Sequence, residues 1–260
     1  MDCFHLSSTL FCSGGFRVWW RALPLPALCP HSSLRSCSRS AIGWRRKYFN
    51  RIEKHISMKK QILAIHGGGT FKTREEFLSF LHHTPLSYED ALDAEPAPDW
   101  KKNLRHECGD TWDVFRPDMP CAHNASYDEW SARFDQYVPH FRDGIVLIGH
   151  SLGAAFLLRY LSEHTVPMKV RGTILVGAPI DDTKEETLAT FTPPKQLEAF
   201  ARNAGEVHIF HSTDDNTVPY ENATKLAERL PQATLHTHHN YGHYRVGAIP
   251  ELIAVLRTMQ

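Results

Sequence analysis

Past residue 57 the chain has only two cysteines, Cys108 and Cys121. Two thiols do not make a disulfide framework, so a reducing compartment is expected, and with it a cytoplasmic location. Net charge is missing as well, because 29 Lys and Arg balance 29 Asp and Glu. That balance gives no electrostatic case for a nucleic-acid partner or for attraction to a membrane surface. No stretch reaches the roughly 18 consecutive apolar residues of a membrane span. What remains is 260 residues, 42% of them hydrophobic, enough to bury a sizeable core with no disulfide or metal staple.

The balanced total hides an asymmetry. Residues 1–57 carry nine Lys or Arg against two acids, Asp2 and Glu53, which leaves residues 58–260 with a net charge of −7. Four of the six cysteines also lie in the first segment. Its composition is rich in Ser, Arg and Trp, and Pro24, Pro26 and Pro30 break its most apolar part. Three readings fit: an organellar transit peptide, a disordered tail, or translated sequence upstream of a start at Met58. Met58-Lys59-Lys60 followed by an apolar strand resembles a natural start. The expected organisation is an N-terminal extension over 1–57 and one catalytic domain over 58–260.

The most informative stretch is Ile145-Val146-Leu147-Ile148-Gly149-His150-Ser151-Leu152-Gly153. A buried strand runs into Gly-x-Ser-x-Gly, and a helix is predicted from Leu152 to about Glu163. That strand–turn–helix context turns a short motif into a nucleophile elbow, in which a strained backbone lifts a serine hydroxyl above a sheet. Upstream, Gln61–Ile65 reads as a strand leading into His66-Gly67-Gly68-Gly69. Consecutive glycines let backbone N–H groups face a ligand. A phosphate loop would need a Gly-Lys-Ser/Thr ending that this sequence lacks, so half of an oxyanion hole is the better reading.

The rest alternates. Thr73-x-x-Glu76 and Ser126-x-x-Glu129 have capping-box spacing and open predicted helices. Asp99 is placed to cap another helix, and 84–98 reads as loop. Trp130, Phe134 and Tyr137 share a helical face and read as core. Strands are expected at 111–115, 170–176, 207–211 and 233–238, and helices at 196–203, 220–230 and 247–259. The acidic stretch 180–194 fits a small flap or, by preference, a solvated loop. Strands alternating with helices argue for an α/β protein with a mostly parallel sheet and helices on both faces. The chemistry-bearing residues all follow strands, so they can converge at one rim.

Ser151, Asp215 and His243 stand in the chain order of a Ser…Asp…His triad. His243 would act as base, Asp215 would orient it, and the N–H groups of Leu152 and Gly68 would hold the oxyanion. His66, Gly67, Gly69 and His150 are the candidate substrate-binding residues.

His66-Gly67-Gly68-Gly69, Pro117-Asp118-Met119-Pro120, Gly149-His150-Ser151-Leu152-Gly153, Asp215-Asn216-Thr217-Val218-Pro219 and Gly242-His243-Tyr244 together resemble the α/β-hydrolase superfamily. Within it, residues 60–258 are most similar to the small serine hydrolases of the retinoblastoma-binding/YdeN type. The resemblance implies an α/β-hydrolase fold with a minimal cap. It also implies a serine hydrolase with nucleophile Ser151 and base His243, acting without cofactor on a small-molecule ester, with thioesters and amides left open because they share the triad chemistry. It places the acid on Asp215, with Asp214 as the alternative. No Leu-x-Cys-x-Glu motif is present, so retinoblastoma-protein binding does not carry over.

His236, His238, His239 and His243 invite a metal reading, but no Cys/Asp/Glu cluster accompanies them in sequence, and no metal is expected. Asn124 and Asn222 head glycosylation sequons that matter only in a secreted chain. Two functions compete with ester hydrolysis: a non-catalytic binding module on a hydrolase scaffold, and a lyase using the same triad.

Overall fold

The structure is a computed structural model that describes residues 59–85, 98–182 and 187–259. The expectations for 1–57 and for most of the 84–98 loop lie outside those residues.

Among the described residues six strands form one sheet: β1 (Lys60–Ile65), β2 (Trp112–Phe115), β3 (Ile145–His150), β4 (Val170–Val176), β5 (Glu206–Ser212) and β6 (Thr234–His238). Their order is β2-β1-β3-β4-β5-β6, and every neighbouring pair is parallel. Between them run α1 (Arg74–His83), α2 (Trp100–Cys108), α3 (Tyr127–Tyr137), α4 (Leu152–Glu163), α5 (Glu198–Asn203), α6 (Glu221–Arg229) and α7 (Pro250–Thr258).

The period-2 alternation of the strands divides the core into two layers. Leu63, Ile65, Leu147 and Ile209 point to one face, where they meet Trp130 and Phe134 of α3, Phe156 of α4 and Phe200 of α5. Ile62, Ala64, Val146, Ile148 and Phe210 point to the other, against Trp100 and Leu104 of α2 and Leu252 and Leu256 of α7. The sheet is thus covered on both sides, as a parallel sheet must be. Helix α4 buries nine of its twelve residues, so the element carrying the elbow is fixed by packing on nearly all sides. Trp130 and Phe134 are fully buried, which bears out their reading as core.

The helix starts show where local sequence decides and where it does not. Thr73 accepts from the Glu76 N–H at 3.1 Å, and Asp99 caps α2 through the Lys101 N–H at 3.0 Å. Ser126 departs from the expected capping box, since its side chain makes no capping bond. The Thr190 hydroxyl, 63 residues away, accepts from the Tyr127 N–H at 3.1 Å instead. The solvated-loop expectation also fails over part of 180–194, because Leu188 and Phe191 are buried in the core. Residues 183–186 of that stretch lie outside the described residues.

The chain moves to one side of β1 to form β2 and then returns to the other side to form β3. Reversal of winding direction opens a crevice beyond the carboxyl ends of the two strands. The glycine loop follows β1 and Ser151 follows β3, so this crevice lies between them.

Candidate active site

Ser151 sits at φ 53°, ψ −122°, a conformation that L-residues seldom adopt outside a constrained turn. The constraint comes from both sides. Its N–H donates to the Val176 carbonyl at 2.9 Å, and its own carbonyl receives the Ala154 N–H at 2.8 Å. The flanking glycines are required by close approach. A methyl group on Gly149 would stand 2.5 Å from the Gly153 carbonyl oxygen, and one on Gly153 would stand 2.6 Å from that of His66. The elbow therefore packs directly on the backbone at the end of β1.

That packing sets the glycine loop beside the serine. A methyl on Gly67 would come within 3.0 Å of Ser151 Cβ, and one on Gly68 would meet the Ala122 carbonyl at 2.6 Å and Leu152 Cδ2 at 3.3 Å. Leu152 is the first residue of α4, so its N–H belongs to the turn of donors that have no helical carbonyl to bond. The Gly69 N–H is already taken by the Ala122 carbonyl at 2.8 Å, which removes it as an anion donor.

The Pro117–Pro120 motif braces this loop. The Met119 N–H donates to His66 Nε2 at 3.0 Å, and His66 Nδ1 lies 2.6 Å from the Gly67 carbonyl. Since Nε2 accepts, Nδ1 carries the proton and donates. Both ring nitrogens of His66 are thus engaged in holding the loop. The Pro120 carbonyl receives the Trp130 indole N–H at 2.8 Å, which ties the same brace to the core.

Asp215 and His243 meet beyond the ends of β5 and β6. His243 Nδ1 is 2.8 Å from Asp215 Oδ2. Asp215 Oδ1 accepts the N–H groups of Thr217 and Val218 at 2.9 and 2.8 Å, so with His243 its carboxylate is held by three donors. An ionised carboxylate only accepts, so Nδ1 donates and the Nε2 lone pair of His243 is left to take a proton. Asp215 and His243 are both 8% exposed, and Ser151 is 5% exposed. Ser151, Leu152, Gly68 and His243 line one cavity of about 930 Å³.

Asp214, the alternative acid, is employed elsewhere. It accepts from the Ser212 hydroxyl and, at 3.1 Å, from the Gly242 N–H. The Ser212 bond, with the Gly242 N–H behind it, holds its carboxyl below the ordinary range. Asp214 thereby joins the loop carrying Asp215 to the loop carrying His243.

Two further histidines belong to this site. His150 Nε2 lies 3.0 Å from the His243 carbonyl, so Nε2 carries the proton and the backbone of His243 is held in place. Burial, reinforced by the Lys101 charge and the His243 ring, pushes the His150 pKa well below 6.5. His211 was not distinguished in sequence from any other strand residue. It is fully buried, donates from Nε2 to the Val218 carbonyl at 2.8 Å, and brings the same nitrogen within 3.6 Å of Asp215 Oδ2. Burial lowers its pKa below the ordinary imidazole value. Strand parity on β5 marks His211 as inward-facing, but only the fold places it behind Asp215.

The remaining histidines are dispersed. His236 bonds to His208 at 2.9 Å, His238 to the Tyr244 hydroxyl at 2.9 Å, and His239 to Thr213 at 3.0 Å. Among the described residues no group of three or more His, Cys, Asp or Glu could hold a metal ion, and no helix is long and apolar enough to cross a membrane. Asn222 is buried, with its amide bonded to Ile180 and Pro219, so that sequon is not available to a glycan in the folded chain.

Comparison with known proteins agrees with this architecture. The serine hydrolase family profile matches residues 92–251. Serine hydrolase RBBP9 of Rattus norvegicus is 30% identical over 152 residues, covering 55% of this chain and 79% of the rat protein. The putative hydrolase YdeN of Bacillus subtilis is 25% identical over 132 residues, 48% of this chain and 67% of YdeN. The crystal structure of the ydeN gene product superposes with a TM-score of 0.57 at 21% identity, covering 77% of this chain and 98% of that one. With its six-stranded parallel sheet built as an α/β-hydrolase fold, this chain belongs to the serine hydrolase family.

Proposed function

We propose that the protein hydrolyses small carboxylic esters by two-step acyl transfer through Ser151. The observation that carries this reading is the 2.8 Å bond between His243 Nδ1 and Asp215 Oδ2, set in one cavity with a serine in the elbow conformation. His243 Nε2 takes the proton as Ser151 Oγ attacks the ester carbonyl. Asp215 fixes the ring orientation and stabilises the imidazolium. The N–H groups of Leu152 and Gly68 receive the oxyanion, and each such donor contributes about 2.7–4 kcal/mol to transition-state stability. On collapse, His243 returns its proton to the departing alkoxide, leaving an acyl-serine and free alcohol. Water, deprotonated by the same nitrogen, then releases the acid and regenerates Ser151. His66 acts on substrate binding by holding the loop that carries Gly67, Gly68 and Gly69, and His150 by holding the backbone of His243.

A fluorophosphonate probe tests this reading. It labels the wild type and leaves Ser151→Ala unlabelled; absence of labelling in both would return the chain to a binding role. A His243→Ala protein that keeps wild-type turnover would remove that residue from the mechanism.

A further inference from the structure

Helix α1 lies at the cavity and gives nothing to the core. None of its residues is buried, yet Phe77, Phe80 and Leu81 all line the cavity that contains Ser151. The large apolar side chains most exposed among the described residues, Leu78, Phe80 and Leu81 at 40%, 48% and 54%, all belong to this one helix. Phe71, on the approach to α1, joins them, with its ring centroid 5.2 Å from those of both Phe77 and Phe80. Positions 77, 80 and 81 fall on one face of a helix, so the aromatic cluster and the cavity lining are the same surface. Apolar side chains left in water at the mouth of a pocket mark a place where something apolar is to be buried.

The course of the chain around the cavity also points to which arm of an ester would reach them. The glycine loop carrying the proposed Gly68 donor runs straight through Thr70 into Phe71 and α1. The leaving alkoxide must depart beside His243, which returns the proton. The lining next to His243 in sequence is polar, with Arg245 two residues along, and the cavity is also lined by the ion pair of Asp99 and Lys101 at 2.7 Å. We propose, building on the esterase reading above, that Phe71, Phe77, Phe80 and Leu81 form the acyl-chain subsite and that the substrate class is esters of medium-length unbranched acyl groups. The chain lies along the exposed face of α1, while the short or polar alcohol sits toward Arg245.

The test compares esters of one alcohol with acetyl, butanoyl, hexanoyl and octanoyl chains. Burial of each methylene against the wall raises wild-type kcat/KM by about twofold or more. The double variant Phe77→Ala/Phe80→Ala loses about tenfold or more on the octanoyl ester, but less than about twofold on the acetyl ester. Alanine favours helix and neither side chain belongs to the buried core, so the variant keeps a Tm close to wild type. A flat wild-type profile, or a variant that keeps the wild-type chain-length slope, overturns the acyl-wall assignment while leaving ester hydrolysis intact. If the wild type cleaves none of the esters, the esterase reading fails and the wall is tested alone, by calorimetric binding of octanoate to Ser151→Ala. The wall predicts that octanoate binds more tightly than acetate and loses that preference with Phe77→Ala/Phe80→Ala. Equal binding of the two acids overturns it.

Discussion

Ser151, Asp215 and His243 are each 8% exposed or less, whereas Phe80 and Leu81, which line the cavity with Ser151 and His243, are 48% and 54% exposed. The first group is held by backbone: the elbow by the Val176 carbonyl and two close-packed glycines, and the acid by two N–H groups of its own turn. The second group stands on a helix that the core does not need. Proton transfer and oxyanion binding depend on sub-ångström placement, and the proposed mechanism assigns them to the group held by the sheet. The proposed acyl wall puts substrate choice on side chains that can change at little cost to folding.

The sharpest way to break that contrast is at the serine. Ser151→Ala lowers ester turnover by about 10⁴- to 10⁶-fold and leaves thermal unfolding close to wild type; appreciable residual activity would show that the cavity, not the elbow, carries the rate. Asp215→Asn follows, with a loss of about 10⁴-fold in kcat at preserved fold. Asp214→Asn has a smaller effect, through the Gly242 contact. If steady-state kinetics showed Asp214→Asn as the more damaging change, the acid assignment would be reversed.

Stability effects come next in size. Gly149→Ala drives a methyl into the backbone of Gly153 and Ala154 at 2.5–2.6 Å, and costs about 1–3 kcal/mol or more. For a domain of this size that is a fall of roughly 2–4 °C in Tm per kcal/mol. Leu81→Ala on α1 has a Tm within error of wild type, and an equal fall in the two proteins would erase the distinction between rim and wall.

A smaller effect is set by pH. His150 is held neutral with its pKa well below 6.5, and burial lowers that of His211 as well. The unfolded chain takes up protons at these positions below about 6.5, before the folded chain does, so stability is complete above that pH and declines as pH falls through it. His150→Gln keeps a donor for the His243 carbonyl but cannot take up that proton. Its Tm should therefore decline less than wild type between neutral pH and mildly acidic buffer; parallel curves would mean that His150 is not held neutral by the fold.

The same contrast explains what could be read before folding. The elbow is legible because its glycines, strand and helix are contiguous, although the Val176 carbonyl that fixes the serine comes from another strand. Asp215 and His243 are legible as residues just past strand ends, where a parallel sheet collects its ligands. The Ser126 cap misleads because Thr190 arrives from another part of the chain. His211 reads as one inward residue among several. The Thr73-x-x-Glu76 spacing predicts the helix that carries Phe77, Phe80 and Leu81, but whether those side chains meet a core or a cavity depends on neighbours distant in sequence.

The central claim is that Ser151 is acylated during turnover. Acid-quenching the wild type during hydrolysis of an activated acetyl ester, followed by intact-mass and peptide analysis, tests it most directly. The account predicts one added acetyl group on the peptide containing Ser151, released on further incubation in water and absent from Ser151→Ala. Turnover without any acyl adduct, or an adduct on another residue that turns over at the same rate, would contradict it.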